Sequence, residues 1–148
     1  MPGRREHDTA VGHTFALEVD GQRVTMLTEV SGLVLDREVA ELKQTAPDGS
    51  IVIRRMPGRS TPGEVTLTRR LTADRTFEQW ARDASLAPAP QAVGTVHLVV
   101  LDRQGRPVVT FALNRAWPRR LEVDGLRPAA TDGLTERLVL VYESFERT

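Results

Sequence analysis

The stretch VTFALNRAWP, residues 109–118, carries the strongest structural signal in this 148-residue chain. Up to Leu113, apolar residues alternate with small or polar ones, which is the pattern of a half-buried β-strand. The stretch closes with Trp117 and Pro118. Because proline lacks the N–H that strand pairing needs, we expect the pairing to stop at this corner. Nothing here forms a catalytic arrangement, so the stretch indicates architecture rather than chemistry.

The composition is that of a single globular domain, with 40% apolar and 27% charged residues. Twenty basic residues balance twenty acidic ones, so no overall positive field exists to attract nucleic acid or an anionic membrane. The absence of cysteine excludes disulfides and thiolate metal sites, and it is typical of assembly in a reducing compartment. We expect a flexible N-terminal arm over residues 1–12, one domain over residues 13–148, and no membrane anchoring.

Short alternating segments dominate the first half of the chain. Residues 15–19 precede Asp20 and Gly21, a pair typical of a two-residue hairpin turn. Two extended segments, residues 34–42 and 51–53, flank a turn-rich stretch and could form the two strands of a long hairpin. Prolines and glycines between Met56 and Gly63 predict a loop after it.

The second half contains one predicted helix and further strands. Asp74 can accept hydrogen bonds from the first helical turn, and Phe77 and Trp80 follow at helical spacing. Residues 95–101 and 108–113 flank another turn, and strands are expected at 121–123 and 137–145. The fold class is therefore mainly β: an antiparallel β-barrel or sandwich with one packed α-helix. The aromatic residues predicted for the core or its interfaces are Phe77, Trp80, Phe111, Trp117 and Tyr142.

The sequence offers little for catalysis or cofactor binding. Its three histidines, at positions 7, 13 and 97, lack metal-ligand spacing, and Ser31 is not preceded by the glycine of a nucleophile elbow. We therefore expect no catalytic residues, no metal, no cofactor and no enzymatic activity. The arginine pairs at 54–55, 69–70 and 119–120 invite a nucleic-acid reading, but neighbouring side chains in a strand point to opposite faces, so a pair is not a patch.

Residues 65–72 alternate strictly, which assigns a role to each face of that strand. If the valine and leucine side chains face the core, Thr66, Thr68 and Arg70 form the opposite, polar face. Such a face suits the wall of a water-filled lumen. Arg69 then falls on the apolar side, where it requires a partner or a bulge.

Taken in order, these segments resemble the tail tube proteins of contractile phage tails and contractile injection systems. The residues that carry the resemblance are FALEVDG at 15–21, EVSGL at 29–33, MPG at 56–58, VTLTRRLT at 65–72, Phe77 with Trp80, VVLD at 99–102, NRAWP at 114–118 and LVL at 138–140. The chain departs from the family at Arg70, where glycine is common, and at Arg115, where asparagine is common.

The resemblance implies a structural protein whose hexameric rings stack into the inner tube of a contractile particle and conduct a payload. It implies that the loop between the long second and third strands, from about Lys43 to Arg59, reaches the adjacent ring, and that the N-terminal arm can add to these stacking contacts. Implied partners are further copies of the chain, a surrounding sheath protein, baseplate and terminator or cap components, and a protein or DNA payload. It also implies assembly in the bacterial cytoplasm within a phage-tail-like particle or virion that can be released. The predicted ring-stacking residues are Lys43, Asp48, Arg54, Arg55 and Arg59.

Two other functions remain open on sequence alone. A tube initiator or adaptor ring at the baseplate or terminus would have the same fold and be present in few copies. A monomeric β-barrel binding module would use the barrel face for a ligand and would not oligomerise. Stacking of rings distinguishes the tube from the adaptor, and a stable monomer would favour the binding module.

Overall fold

The computed structural model describes residues 14–88, 93–126 and 133–148. Its elements are β1 (Thr14–Val19), β2 (Gln22–Ser31), β3 (Arg37–Thr45), β4 (Ile51–Ser60), β5 (Gly63–Arg70), α1 (Thr76–Leu86), β6 (Gly94–Leu101), β7 (Pro107–Asp124), β8 (Thr135–Tyr142) and β9 (Ser144–Arg147). This matches the predicted class, mainly β with one helix in the described residues. The predicted arm over residues 1–12 lies outside them.

Six strands form a closed antiparallel barrel. The order is β6-β1-β2-β5-β8-β7, and a further pairing of β6 with β7 closes the circle. β9 follows β8 along the same edge of β7. Because β6 pairs with β7, the backbone N–H and C=O groups along these edges are hydrogen-bonded within the barrel and are not available to other chains. The barrel interior is filled by aliphatic side chains including Leu17, Leu67, Leu98, Leu113, Leu138 and Leu140.

The turns follow the predicted chemistry. Val19 pairs with Gln22, so Asp20 and Gly21 form a two-residue hairpin turn in which both have positive φ, at 49° and 79°. The turn between β6 and β7 is held by the Asp102 carboxylate, which accepts from the backbone N–H groups of Gln104 and Arg106 at 2.9 and 2.8 Å.

A long hairpin projects from the barrel. We use the name long hairpin for β3, β4 and the turn between them, residues 37–60. Within the described residues, its two strands pair only with each other. The predicted loop from about Lys43 to Arg59 is wrong, because β3 runs to Thr45 and β4 begins at Ile51. The predicted loop from Met56 to Gly63 is also wrong, because β4 continues to Ser60. A register shift between Arg37 and Val39 places an irregularity next to Pro57, and it accommodates the missing proline N–H.

The predicted stop at Trp117 and Pro118 is also wrong, because β7 runs through both residues to Asp124. The corner instead changes the pairing partners. β6 pairs with β7 as far as Ala116, and β8 pairs with it from Trp117 onwards. A register shift after Pro118 compensates for the donor that proline lacks. The pairing with β6 ends at Ala116 because Gly94, its partner, is the first residue of β6, and Pro118 does not end β7.

Arg115 lies at this corner with φ at 51°, a left-handed conformation that costs most side chains about 1–2 kcal/mol. Asparagine tolerates it much better. We expect Arg115→Asn to raise the free energy of unfolding by roughly 0.5–1 kcal/mol, measured by urea denaturation. The Glu143→Gln background removes the exposed ion pair of Arg115 with Glu143 from both proteins. A loss of stability in that background would contradict the assignment of strain to Arg115.

Candidate assembly surfaces

The long hairpin exposes aliphatic side chains on both faces. Directly opposed residues in an antiparallel pair share a face. One face, the Leu42 face, contains Ala40, Leu42, Gln44, Val52, Arg54 and Met56; the other, the Lys43 face, contains Val39, Glu41, Lys43, Thr45, Ile51, Ile53, Arg55 and Pro57. Ile51 and Val39 are 70% and 67% exposed. Six large aliphatic side chains left in water on one hairpin indicate a surface that another molecule covers.

The predicted ring-stacking residues are all on the long hairpin, but they do not form one patch. Lys43 and Arg55 lie on the Lys43 face, and Arg54 lies on the Leu42 face. Arg55 is 3.6 Å from the Glu41 carboxylate, an exposed pair that contributes little to stability. Arg59 lies near the base of β4 and is exposed. These positive charges can therefore meet different neighbours.

Asp48 has a local structural role at the hairpin tip. Its carboxylate accepts from the hydroxyl of Ser50 at 2.6 Å and from the backbone N–H of Ser50 at 2.9 Å. The hydrogen bond from the Ser50 side chain, followed by that from its backbone, lowers the pKa of Asp48. The ionised carboxylate thus favours the turn that joins β3 to β4, and its contribution disappears as the pH falls through this lowered pKa.

The second surface is a polar wall on the outside of the barrel. Val65 and Leu67 of β5 point into the core, so Thr66, Thr68 and Arg70 point outward. The cross-strand register places outward residues of β2, β8 and β7 beside them. We use the name polar wall for the polar residues of this face, Glu29, Ser31, Thr66, Thr68, Arg70, Arg120, Glu122, Asp124, Thr135 and Arg137. The half-buried Val139 lies among them, opposite Thr66.

Charges on the polar wall alternate in sign. Arg120 lies 3.6 Å from Glu122, and Arg137 lies 3.8 Å from Asp124. Thr68 is only 9% exposed, whereas Arg70 is exposed at the end of β5. The polar wall is therefore hydrophilic, and it carries no strong net charge of either sign.

The five predicted core aromatics separate into three groups. Phe77 and Tyr142 are fully buried. Trp80 and Phe111 are partly buried and pack against the core cluster. The prediction of Trp117 as a core aromatic is wrong. Its side chain is 37% exposed, because its neighbour Pro118 is buried and adjacent strand residues point to opposite sides. Trp117 therefore lies on the outer side of the barrel.

Arg69 is buried on the core side of β5 and has partners. Its Nε donates to Glu136 Oε2 at 2.9 Å, and Nη1 donates to Asp74 Oδ2 at 3.0 Å. Its guanidinium carbon lies 4.4 Å from the centre of the Phe77 ring. Hydrogen bonds from Thr76 and then from Arg69 lower the pKa of Asp74. Arg69 thus links β5 and β8 to the start of α1. The sequence predicted that Arg69 lies on the apolar side of its strand, but it did not identify Glu136 as the partner.

Other kinds of site find no support in the described ranges. Residues 14–88, 93–126 and 133–148 contain no group of three or more His, Cys, Asp or Glu placed to hold a metal ion. The same ranges include no helix long and apolar enough to cross a membrane.

Comparison with known protein families identifies the chain. The sequence model described as T4-like virus tail tube protein gp19 matches residues 11–146. The chain belongs to this tail tube family. A sequence search of curated proteins finds no match.

Solved structures share the tail tube fold. A chain of the extracellular contractile injection system "PVC sheath-tube complex in extended state" aligns with a TM-score of 0.75 and 17% identity, covering 94% of both chains. A chain of the "PVC sheath/tube terminator in extended state" gives 0.75 and 18%, covering 97% of this chain and 98% of its own. Hcp1 from Salmonella typhimurium gives 0.59 and 9%, covering 91% and 85%. The tail tube fold thus spans nearly the whole chain.

Proposed function

We propose that this protein forms stacked hexameric rings that make the inner tube of a contractile injection system or contractile phage tail. The observation that carries the proposal is the long hairpin, which leaves large aliphatic side chains exposed on a barrel of the tail tube family. Its role is structural: the tube conducts a payload, and no turnover is involved. This function requires a tube that is stiff along its axis.

Within a ring, neighbouring subunits pair through strand edges. β9 pairs along one side with β7, and the opposite edge of β9 has no strand partner in the described residues. β6 leaves β7 at Ala116, so the edge of β7 opposite β8 is likewise open from Trp117 to Asp124. Open edges of this kind accept a strand of another copy. Trp117 is the first residue of this open part of β7, and three residues of the polar wall, Arg120, Glu122 and Asp124, belong to it.

Between rings, the long hairpin supplies the contacts. Its strands of nine and ten residues can reach about 30 Å from the barrel at the usual rise of a β-strand. Covering its aliphatic side chains provides the hydrophobic stabilisation, and Lys43, Asp48, Arg54, Arg55 and Arg59 supply polar contacts at the rim. These charges fix the rotation of one ring on the next more than they add affinity.

The polar wall forms the lumen, with Thr66, Thr68 and Arg70 at its centre. Hydroxyl groups and internally paired charges keep this surface wet and give a moving payload no strong attachment. The payload is a protein or DNA. Assembly takes place in the bacterial cytoplasm, and the finished tube is part of a phage-tail-like particle or virion.

Partners at the outside and the ends follow from the same assembly. A sheath protein surrounds the tube, and baseplate and cap components close its two ends. The fold matches chains in structures described as a tube terminating cap and as a baseplate of the anti-feeding prophage, with TM-scores of 0.70 and 0.61. Those structures support an assembly in which related barrels occupy successive positions along one axis.

A tube initiator or adaptor ring is the second candidate. The observation that favours it is the sheath/tube terminator chain, which aligns as well as the chain from the sheath-tube complex. An adaptor forms one ring and does not stack. Fold similarity is equal for the two roles, so only polymerisation separates them.

The test is light scattering and negative-stain electron microscopy of the purified protein over a concentration series. We expect hollow tubes with six-fold end views, and a mass that rises with concentration. Rings that never stack would favour the adaptor. Monomers at every concentration, with and without an added baseplate template, would contradict both roles and favour the binding module.

A further inference from the structure

The root of the long hairpin has few attachments to the barrel. We use the name root for residues 32–36, which lead from β2 into β3, and for residues 61–62, which lead from β4 into β5. Leu33 packs against the core, but Val34 and Leu35 are 56% and 75% exposed. The two sides of the root are joined to each other by the hydrogen bond from Thr61 N to Asp36 O, at 3.0 Å. This bond does not orient the hairpin on the barrel.

The Tyr142 hydroxyl attaches the root to the barrel by hydrogen bonds. It accepts from the backbone N–H of Val34 at 3.1 Å, and its own proton can be donated to the carbonyl of Gly32 or of Val34, each at 3.3 Å. The rest of the side chain is 1% exposed and contacts Phe145 edge to face, with ring centres 5.9 Å apart. A rigid ring in the core thus presents one hydroxyl to the backbone of the root.

The opposite strand is shaped to admit this ring. Gly63 opens β5 directly after the root and pairs with Tyr142. A Cβ on Gly63 would overlap Cζ and the hydroxyl oxygen of Tyr142. The glycine is therefore required by the position of the phenol, whose hydroxyl contacts the first side of the root while its ring lies against the residue that follows the second.

We propose that Tyr142 is a positioning residue for assembly: its hydroxyl fixes the direction of the long hairpin, so that the hairpin of each ring meets the next ring in one orientation. The inference rests on the proposed function. Fixing the hairpin beforehand removes an ordering cost from each stacking contact. A barrel lacking the hydroxyl keeps its core, because phenylalanine fills the same space.

The test compares wild type with Tyr142→Phe by two readouts. The chain has no cysteine, so Gln44→Cys on the hairpin and Gln79→Cys at an exposed position of α1 accept spin labels at chosen sites. We expect pulsed electron paramagnetic resonance of the dilute protein to give a narrow distance distribution, which Tyr142→Phe broadens. In unlabelled protein, we expect the substitution to raise the concentration needed for tubes about two- to tenfold, the usual worth of one buried hydrogen bond.

Controls make each outcome decisive. Ser85→Ala removes a side-chain hydrogen bond to a backbone carbonyl away from the hairpin and should change neither readout. Gly63→Ala, which displaces the phenol, should broaden the distribution at least as much as Tyr142→Phe. An unchanged distribution overturns the proposal, as does unchanged assembly despite broadening. If wild type forms no tubes, the proposed function fails, while the distance measurement still decides whether Tyr142 orients the hairpin.

Discussion

Arg69→Met is expected to destabilise the folded monomer by about 3–5 kcal/mol, the usual cost of leaving a buried charge without its partner. The substitution leaves the carboxylate of Glu136, which is 1% exposed, without the donor 2.9 Å away. It also removes the cation over the ring of Phe77 and one of the hydrogen bonds that bring Asp74 towards β5. Chemical denaturation followed by circular dichroism measures the loss.

Two comparisons separate the buried charge from the lost side chain. Arg70→Met changes the adjacent, exposed arginine and should cost less than about 0.5 kcal/mol. Arg69→Met combined with Glu136→Leu removes both buried charges, and it should recover most of the stability because apolar groups of similar volume replace buried ion pairs well. A double variant as unstable as Arg69→Met would show that the charge is not the cause.

Lowering the pH should also weaken the contact between Asp74 and Arg69. The pKa of Asp74 is lowered in the folded state by the hydrogen bond from Thr76 and by Arg69. Its contribution to stability is therefore fully present above the unfolded value near 3.8 and is lost as the pH falls through the lowered pKa. Asp74→Asn should flatten the pH dependence of unfolding below pH 4 relative to wild type.

Replacing the exposed aliphatic side chains of the long hairpin with serine is expected to abolish tube formation while leaving the barrel folded. The six positions are Val39, Leu42, Ile51, Val52, Ile53 and Met56. Their burial between rings is the main hydrophobic contribution in this account, so the concentration needed for tubes should rise at least about a hundredfold. The barrel should unfold at an unchanged temperature, because these side chains lie outside its core cluster.

Separate variants of each hairpin face refine this result. Serine at Leu42, Val52 and Met56 alters only the Leu42 face, and serine at Val39, Ile51 and Ile53 alters only the Lys43 face. Leu86→Ser, at an 84% exposed position on α1, is the matched control and should assemble normally. Assembly of the six-serine protein at the wild-type concentration would exclude the long hairpin as the stacking element.

Local pattern was sufficient for most of the architecture. The Asp20-Gly21 turn, the helix after Asp74 and the hairpin around residues 46–50 all follow from short-range chemistry. The strand through Pro118 does not, because its continuation depends on β8, a partner distant in sequence. The same holds for Met56–Ser60, where β3 extends a segment that its prolines and glycines assign to a loop. Both errors arose where tertiary pairing outweighs the local preference of proline.

The surfaces were harder to predict than the fold. Alternation in β5 separated Arg69 from Thr66, Thr68 and Arg70, but it could not supply Glu136 from β8 as the buried partner. Tyr142 was recognisable as an aromatic of the core, yet its hydroxyl contact with Val34 joins positions 108 residues apart. Hydrophobic periodicity cannot predict a contact between two residues so far apart in the sequence. Trp117 was misplaced because simple alternation from Leu113 points it inward, whereas the irregularity in the β6–β7 pairing before Ala116, where Arg115 has positive φ, reverses that alternation.

A cryo-electron microscopy reconstruction of the assembled protein shows where the long hairpin of each subunit lies. We expect six subunits per ring, a lumen lined by Thr66, Thr68 and Arg70, and a long hairpin that crosses from each ring to the next. A tube whose hairpins stay within their own ring would contradict the assignment of stacking to residues 37–60. A protein that remains monomeric at high concentration, even with a baseplate template, would contradict the tube itself.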